Sequence, residues 1–240
     1  MKDAYNEKEA DKKSKIGIMG GTFRPIHNGH LVIAENARAQ FELDQVLFIP
    51  TGHSPHKQQH DMMDAHHRCA MISLAIRDNF AFALDTQEVD SSQISYTYLT
   101  LQHLKEIYPN AVFYFILGAD SLFDLEEWKE PGQILSACTI LAAYRKHQHQ
   151  EHFIQQISYL NEKYHSSIYP LQTPSLEVSS HDIRDRISKN QTIRYLVPRQ
   201  VELYIQEYNL YQKNDLESTC GFNYSSQNLK IEKMLQDETN

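Results

Sequence analysis

An α/β fold, an open Rossmann-like parallel sheet with helices on both faces, is predicted by three features of the sequence. Six short apolar runs alternate with longer stretches of helical character between residues 15 and 212, the order that strand-helix-strand crossovers produce. A glycine pair, Gly20-Gly21, separates the first run from the first helical stretch, where a chain leaving a strand must turn into a helix. The 240 residues, 41% of them hydrophobic, suffice for one buried core and leave little for a second domain.

Taken in order, Ile16-Gly17-Ile18-Met19 reads as the first strand. Residues 29–41 contain few breakers and read as the first helix, with Asn28 as its natural N-cap. A second strand at 45–49 leads into a polar loop from about 50 to 64, a length common among lids and binding elements. Helix 64–78, strand 81–84, helix 97–108 and strand 112–117 follow, with another helix expected from near Ser121. Strand 139–143, helix 150–164, strand 167–171 and helix 180–188 precede a last helix at 198–208, in which Pro198 suits the first turn. Residues 1–14 read as a mobile N-terminal tail and 213–240 as a polar, disordered C-terminal tail, because both lack sustained periodicity. The domain is therefore expected at 15–212.

Bulk properties narrow the function classes. A net charge of −8 disfavours sequence-independent binding of nucleic acid, whose backbone demands a basic face. No apolar run approaches the length of a membrane span, and the charged start lacks the apolar core of a signal peptide. The three cysteines, Cys69, Cys138 and Cys220, are isolated from one another, which suits a reduced cytoplasm better than a disulfide framework. His147, His149 and His152 lie close together but lack a carboxylate or cysteine complement, so no metal site is expected there. The sequence does not fix the oligomeric state, and a homo-oligomer is possible.

Chemistry concentrates in Gly20-Gly21-Thr22-Phe23-Arg24-Pro25-Ile26-His27-Asn28-Gly29-His30. Glycines let backbone amides approach a ligand closely. The helix that follows presents unpaired N–H groups and the positive end of its dipole, so the expected guest is an anion such as a phosphate. His27 and His30 are three apart, near one another on the first turn, so both rings could donate to one phosphate group. Either histidine by itself could merely cap the helix; the combination with the glycine pair and the strand favours nucleotide binding. Loops after the second and fourth strands, at residues 50–57 and at Gly118-Ala119-Asp120-Ser121, would meet the motif at the carboxyl edge of the sheet. A G-x-x-x-x-G-K-S/T phosphate loop and a G-x-G-x-x-G dinucleotide fingerprint are both absent.

His27-x-Gly29-His30 after Gly20-Gly21-Thr22-Phe23 resembles the signature of nucleotidyltransferases that move an adenylyl or cytidylyl group. Further segments extend the likeness over nearly all of the expected core. Gly52-His53-Ser54-Pro55-His56-Lys57, Ser95-Tyr96-Thr97-Tyr98, the 113–121 stretch, Trp128, Val178-Ser179-Ser180 with Ile183-Arg184, and the 193–198 stretch resemble bacterial nicotinate-nucleotide adenylyltransferases. The resemblance implies transfer of AMP from ATP to nicotinate mononucleotide, giving nicotinate adenine dinucleotide and pyrophosphate, with Mg2+ delivered on ATP. It implies His27 and His30 as catalytic residues, and an ATP site that also uses Gly20, Gly21, Thr22, Phe23, Gly118, Asp120, Ser180 and Arg184. Lys57, the backbone at Tyr96 and Thr97, and a stacking Trp128 would hold the acceptor. Other readings of single residues stay open at this point: Asp120 as a helix cap, Arg184 as a surface ion pair, Trp128 and Tyr96 as packing. His53 and His60 read as solvated.

Two positions depart from the family pattern, Arg24 where aspartate is usual and His181 where a small hydroxyl residue is usual. Two rivals remain: an adenylyltransferase for another acceptor, pantetheine phosphate or nicotinamide mononucleotide, and a non-catalytic pyridine-nucleotide-binding protein, which the two departures make possible. The Tyr96-Thr97 and Trp128 features argue against pantetheine phosphate.

Overall fold

A computed structural model describes residues 13–53, 65–144, 150–174 and 176–212. His56, Lys57, His60, His147, His149, Cys220 and the sequence expected to form the two tails, apart from Lys13 and Ser14, lie outside the described residues.

Six strands form one sheet: β1 (Lys15–Gly21), β2 (Gln45–Pro50), β3 (Phe82–Leu84), β4 (Val112–Gly118), β5 (Thr139–Ala143) and β6 (Ile168–Leu171). Their spatial order is β3-β2-β1-β4-β5-β6, and every neighbouring pair is parallel. Side chains alternate across the pleat. Ile16 and Ile18 of β1, with Leu47 and Ile49 of β2 and Phe113 and Phe115 of β4, therefore enter one core. Met19, Val46, Phe48 and Ile116 enter the other. Because both faces are covered, the central strands read as nearly continuous apolar runs.

The helices are α1 (Asn28–Phe41), α2 (Ala65–Ile76), α3 (Gln87–Asp90), α4 (Thr97–Ile107), α5 (Ala119–Phe123), α6 (Pro131–Ala137), α7 (Gln150–Tyr164), α8 (Ser180–Ser188) and α9 (Arg199–Glu207), with a 3-10 turn at Leu125–Glu127. α1, α2, α8 and α9 send residues such as Ala34, Met71, Ile183 and Tyr204 into the core that holds Met19 and Phe48. α4, α6 and α7 supply Leu101, Leu104, Ile134 and Phe153 to the opposite core. Gly17 permits close packing on the first of these faces: a Cβ there would lie 2.9 Å from Leu43 Cδ1.

The order of strands reverses between β1 and β4, the place where an open α/β sheet gathers its ligands. β1 and β4 pair only from Lys15 with Val112 to Ile18 with Phe115. Beyond those residues β1 continues beside β2 as far as Gly21 with Pro50, and β4 continues beside β5 as far as Gly118 with Ala143. The two strand ends part, and a crevice opens between them.

The expected long elements occur within a few residues of their expected limits. α3, α6 and the 3-10 turn escape the sequence because three to seven residues cannot display a helical period. The helix after β4 begins at Ala119 with Gly118 at the N-cap, not near Ser121, so Asp120 lies inside its first turn and does not cap it. Pro198 stands at the N-cap position of α9, one residue before the first turn proper. No helix among the described residues is long and apolar enough to cross a membrane.

α9 docks on α2 through fully buried Tyr204, whose hydroxyl lies 2.9 Å from His67 Nδ1. Tyr204→Phe removes that hydrogen bond from a closed interface. It is expected to cost about 1 kcal/mol, read as a lowered urea midpoint with an unchanged slope.

Candidate active site

The crevice widens into a cavity of about 1010 Å³ whose walls include Gly20, Gly21, Thr22, His27, Gly29 and His30 from the first turn and helix. Tyr96, Thr97, Gly118, Trp128 and Ser180 line the same space. Residues that are far apart in sequence thus share one site. Phe23, Asp120 and Arg184 are not among its lining residues, and Lys57 lies outside the described residues.

The first turn of α1 sets the geometry. His27 is the N-cap, with φ −146° and ψ 168°, which corrects the expectation that Asn28 caps the helix. His27 and His30 form a reciprocal capping box, each side chain facing the other residue's backbone N–H. His30 Nδ1 accepts from the His27 N–H at 3.2 Å. Because that nitrogen must present its lone pair, a neutral His30 ring carries its proton on Nε2. The two rings stack with centroids 3.7 Å apart. Gly29 makes room for this pair, since a Cβ there would lie 3.0 Å from His27 Cε1 and Nδ1.

Asn28 is freed for a different task. Its side-chain amide donates to the Tyr195 carbonyl at 2.7 Å, and its backbone N–H donates to the Leu196 carbonyl at 2.9 Å. The segment before α9 therefore clamps the start of α1. Tyr195 adopts φ 67°, a left-handed conformation uncommon outside glycine.

Several groups hold the glycine turn from behind. Phe23, at φ 48° and only 2% exposed, sets its ring edgewise to His30 at 5.0 Å. It supports the histidine and leaves the lining to its neighbours. Ser180 Oγ donates to the Pro25 carbonyl at 2.9 Å. Arg184 Nη1 donates to the carbonyls of Arg24 at 2.8 Å and Ser180 at 3.1 Å, so these contacts brace the turn. Ser179 caps α8 by accepting from the Asp182 N–H, and with Ser180 it sets the start of that helix, the positive end of its dipole, in the cavity wall. His181, the second departure from the family pattern, is exposed in that first turn.

Along the same cavity α4 begins with Tyr96 as N-cap. The first N–H groups of this 11-residue helix have no helical carbonyl to reach, and they bring the positive end of its dipole to the cavity. Trp128 is half-buried; it packs edgewise on Phe115, centroids 6.1 Å apart, while contributing to the cavity wall.

Two residues important to this architecture were not anticipated. Arg68 is fully buried, and its Nη1 donates to the Thr22 carbonyl at 3.0 Å, so a cation lies under the phosphate-type turn. A signal for it existed: Arg68 precedes Met71 and Ile72 on the buried face of α2, where helical spacing calls for an apolar residue. The other is Glu88, a cavity-lining carboxyl. Burial pushes its pKa above the ordinary carboxylate value, partly offset by hydrogen bonds from Thr100, Ser95 and the Gly52 amide. Short α3 carries no periodic pattern that could have marked it. Among the described residues, no group of three or more His, Cys, Asp or Glu side chains is arranged to hold a metal ion.

Comparison with known proteins identifies the family. The family described as Cytidylyltransferase-like matches residues 18–186. A protein of Thermoanaerobacter sp. (strain X514) named "Probable nicotinate-nucleotide adenylyltransferase" is 40% identical over 206 residues, covering 85% of this chain and 98% of the relative. One of the same name from Lachnoclostridium phytofermentans is 41% identical over 197 residues, covering 82% and 98%. The solved structure of Plasmodium falciparum nicotinic acid mononucleotide adenylyltransferase complexed with NaAD shares the fold, with a TM-score of 0.67 at 23% identity over 82% of this chain and 97% of that one. With the family match running from β1 into α8 and relatives of this identity aligned over almost their whole length, the chain belongs to the cytidylyltransferase-like family and, within it, to the nicotinate-nucleotide adenylyltransferases.

Proposed function

We propose that the chain transfers AMP from ATP to nicotinate mononucleotide, releasing pyrophosphate and forming nicotinate adenine dinucleotide for NAD biosynthesis. One juxtaposition supports this above all: the His27 and His30 pair and the start of α4 beside Trp128 line a single cavity. One end suits a triphosphate, the other an aromatic acid. Relatives aligned over almost their whole length carry the same activity in their names.

The acceptor's phosphate is already largely dianionic at neutral pH, its second pKa being about 6. It needs no strong general base. Its oxygen attacks the α-phosphorus of ATP in line, the bond to the bridging oxygen breaks, and pyrophosphate leaves with the electron pair. No protein nucleophile takes part in this scheme. The difficulty is bringing one anion to another, which positioning and charge neutralisation overcome. His30 Nε2, the amides of the Gly20 to Phe23 turn and the N-terminus of α1 face that charge. Magnesium enters as part of the substrate, bound to the phosphates of ATP, and screens their charge.

At the acceptor end, N–H groups at the start of α4 suit the carboxylate of the pyridine ring, and Trp128 offers an aromatic surface for stacking. Neither departure from the family pattern removes these parts. Arg24 meets Arg184 through its backbone carbonyl, which any side chain at that position would retain. A cytoplasmic location is part of the same proposal, supported by the sparse, isolated cysteines.

Pyrophosphate release from ATP and magnesium is expected with nicotinate mononucleotide. It should fall by about tenfold or more in kcat/KM with the amide, which forfeits a charge-assisted hydrogen bond. Preference for the amide or for pantetheine phosphate would reassign the acceptor; nucleotide binding without turnover would reassign the class. His30→Ala should lower kcat by about a hundredfold while costing only about 1 kcal/mol through the lost cap. Gly29→Ala should separate the two properties in the other direction. Added helix propensity contributes up to about 1 kcal/mol of stability, yet the displaced His27 ring lowers kcat by about tenfold or more.

A further inference from the structure

We propose that Glu88 is a positioning residue that builds the acceptor pocket, by clasping the loop after β2 to the start of α4. The proposal rests on the adenylyltransferase assignment above and adds a task for a residue that the mechanism leaves unused.

Three segments converge on Glu88. Its Oε1 accepts from Thr100 Oγ1 at 2.7 Å, and the Ser95 hydroxyl and Gly52 amide lie close enough to its carboxyl to lower its pKa against the effect of burial. Those two donors are joined to each other, since the Gly52 N–H reaches Ser95 Oγ at 3.2 Å. One residue further on, the Ser95 N–H donates to the His53 carbonyl at 2.9 Å, and His53 bridges Ile94 in parallel. The backbone is equally close: a Cβ on Gly52 would fall 1.8 Å from the Glu88 carbonyl oxygen. No side chain fits between loop and helix.

The leverage comes from Thr100. It lies one turn into α4 and is 7% exposed, so holding its hydroxyl fixes the rotation and height of the helix start. The same contacts fix Ser95, the residue before the Tyr96 N-cap. Glu88 thereby aims the free N–H groups of α4 at the cavity that Ser95, Tyr96, Thr97 and Thr100 all line. A carboxylate held by preset donors loses affinity when the donors can wander. The triphosphate end is anchored independently by α1, α8 and Arg68, so the effect should be confined to the acceptor.

The test uses the full chain with Glu88→Ala, Glu88→Gln and Thr100→Val, measuring kcat and both KM values. Wild-type turnover with nicotinate mononucleotide is established first; its absence overturns the functional assignment and the clasp with it. Given that turnover, Glu88→Ala should raise the acceptor KM by about tenfold or more, with the ATP KM and kcat each within about threefold. Glu88→Gln retains an acceptor oxygen for Thr100 and should recover most of the loss. Should Glu88→Ala fail to fold, Thr100→Val, which keeps the shape and removes the donor, should raise the acceptor KM alone by about fivefold. An acceptor KM that stays put in the folded variants overturns the clasp, as does a parallel rise in both KM values or a fall confined to kcat.

Discussion

The capping box between His27 and His30 is the contact on which the site depends. A helix start normally exposes donors that a hydroxyl or carboxylate would cap. Here two imidazoles do the capping, so the groups that finish the helix are also groups that line the cavity. The arrangement decides which nitrogen of His30 carries the proton, and it brings the two rings into a stack. Much of the surrounding structure serves to keep it in place: Phe23 against one ring, the space at Gly29 against the other, Asn28 anchored to the far end of the domain.

The sheet contributes the opening, and its order explains why the site is where it is. β1 and β4 are neighbours over only four registered pairs, after which each follows its outer partner. Their separation leaves a crevice that apolar side chains do not fill. Helix starts, those of α1, α4 and α8, surround it, and each brings a positive dipole end. A chain of net charge −8 can therefore receive a highly anionic substrate, because local dipoles and the buried Arg68 oppose its overall charge.

Legibility from sequence followed physical length scale. Strands and long helices were readable because their burial imposes a period, and Gln150–Tyr164 and Ser180–Ser188 occur with the expected bounds. The glycine turn, both histidines, Tyr96, Thr97, Gly118, Trp128 and Ser180 were expected at one site and line one cavity. What escaped depends on contacts between distant residues. Asn28 looks like a cap until Leu196 and Tyr195 claim its donors. Nor did position reveal that the Phe23 ring would pack on His30 or that Arg184 would donate to carbonyls of the turn. Glu88 was invisible because α3 is four residues long, and its partners arrive from both sides of it in sequence.

The clamp of Asn28 on residues 195 and 196 sets a timetable. The histidine motif emerges early in synthesis, near residue 30, while the carbonyls that orient its helix belong to the last fifth of the described domain. A nascent chain can assemble much of its sheet and still lack a finished helix mouth. Competence for chemistry is thereby tied to completion of the polypeptide, and a chain truncated before residue 195 would retain the signature while lacking the clamp that orients it.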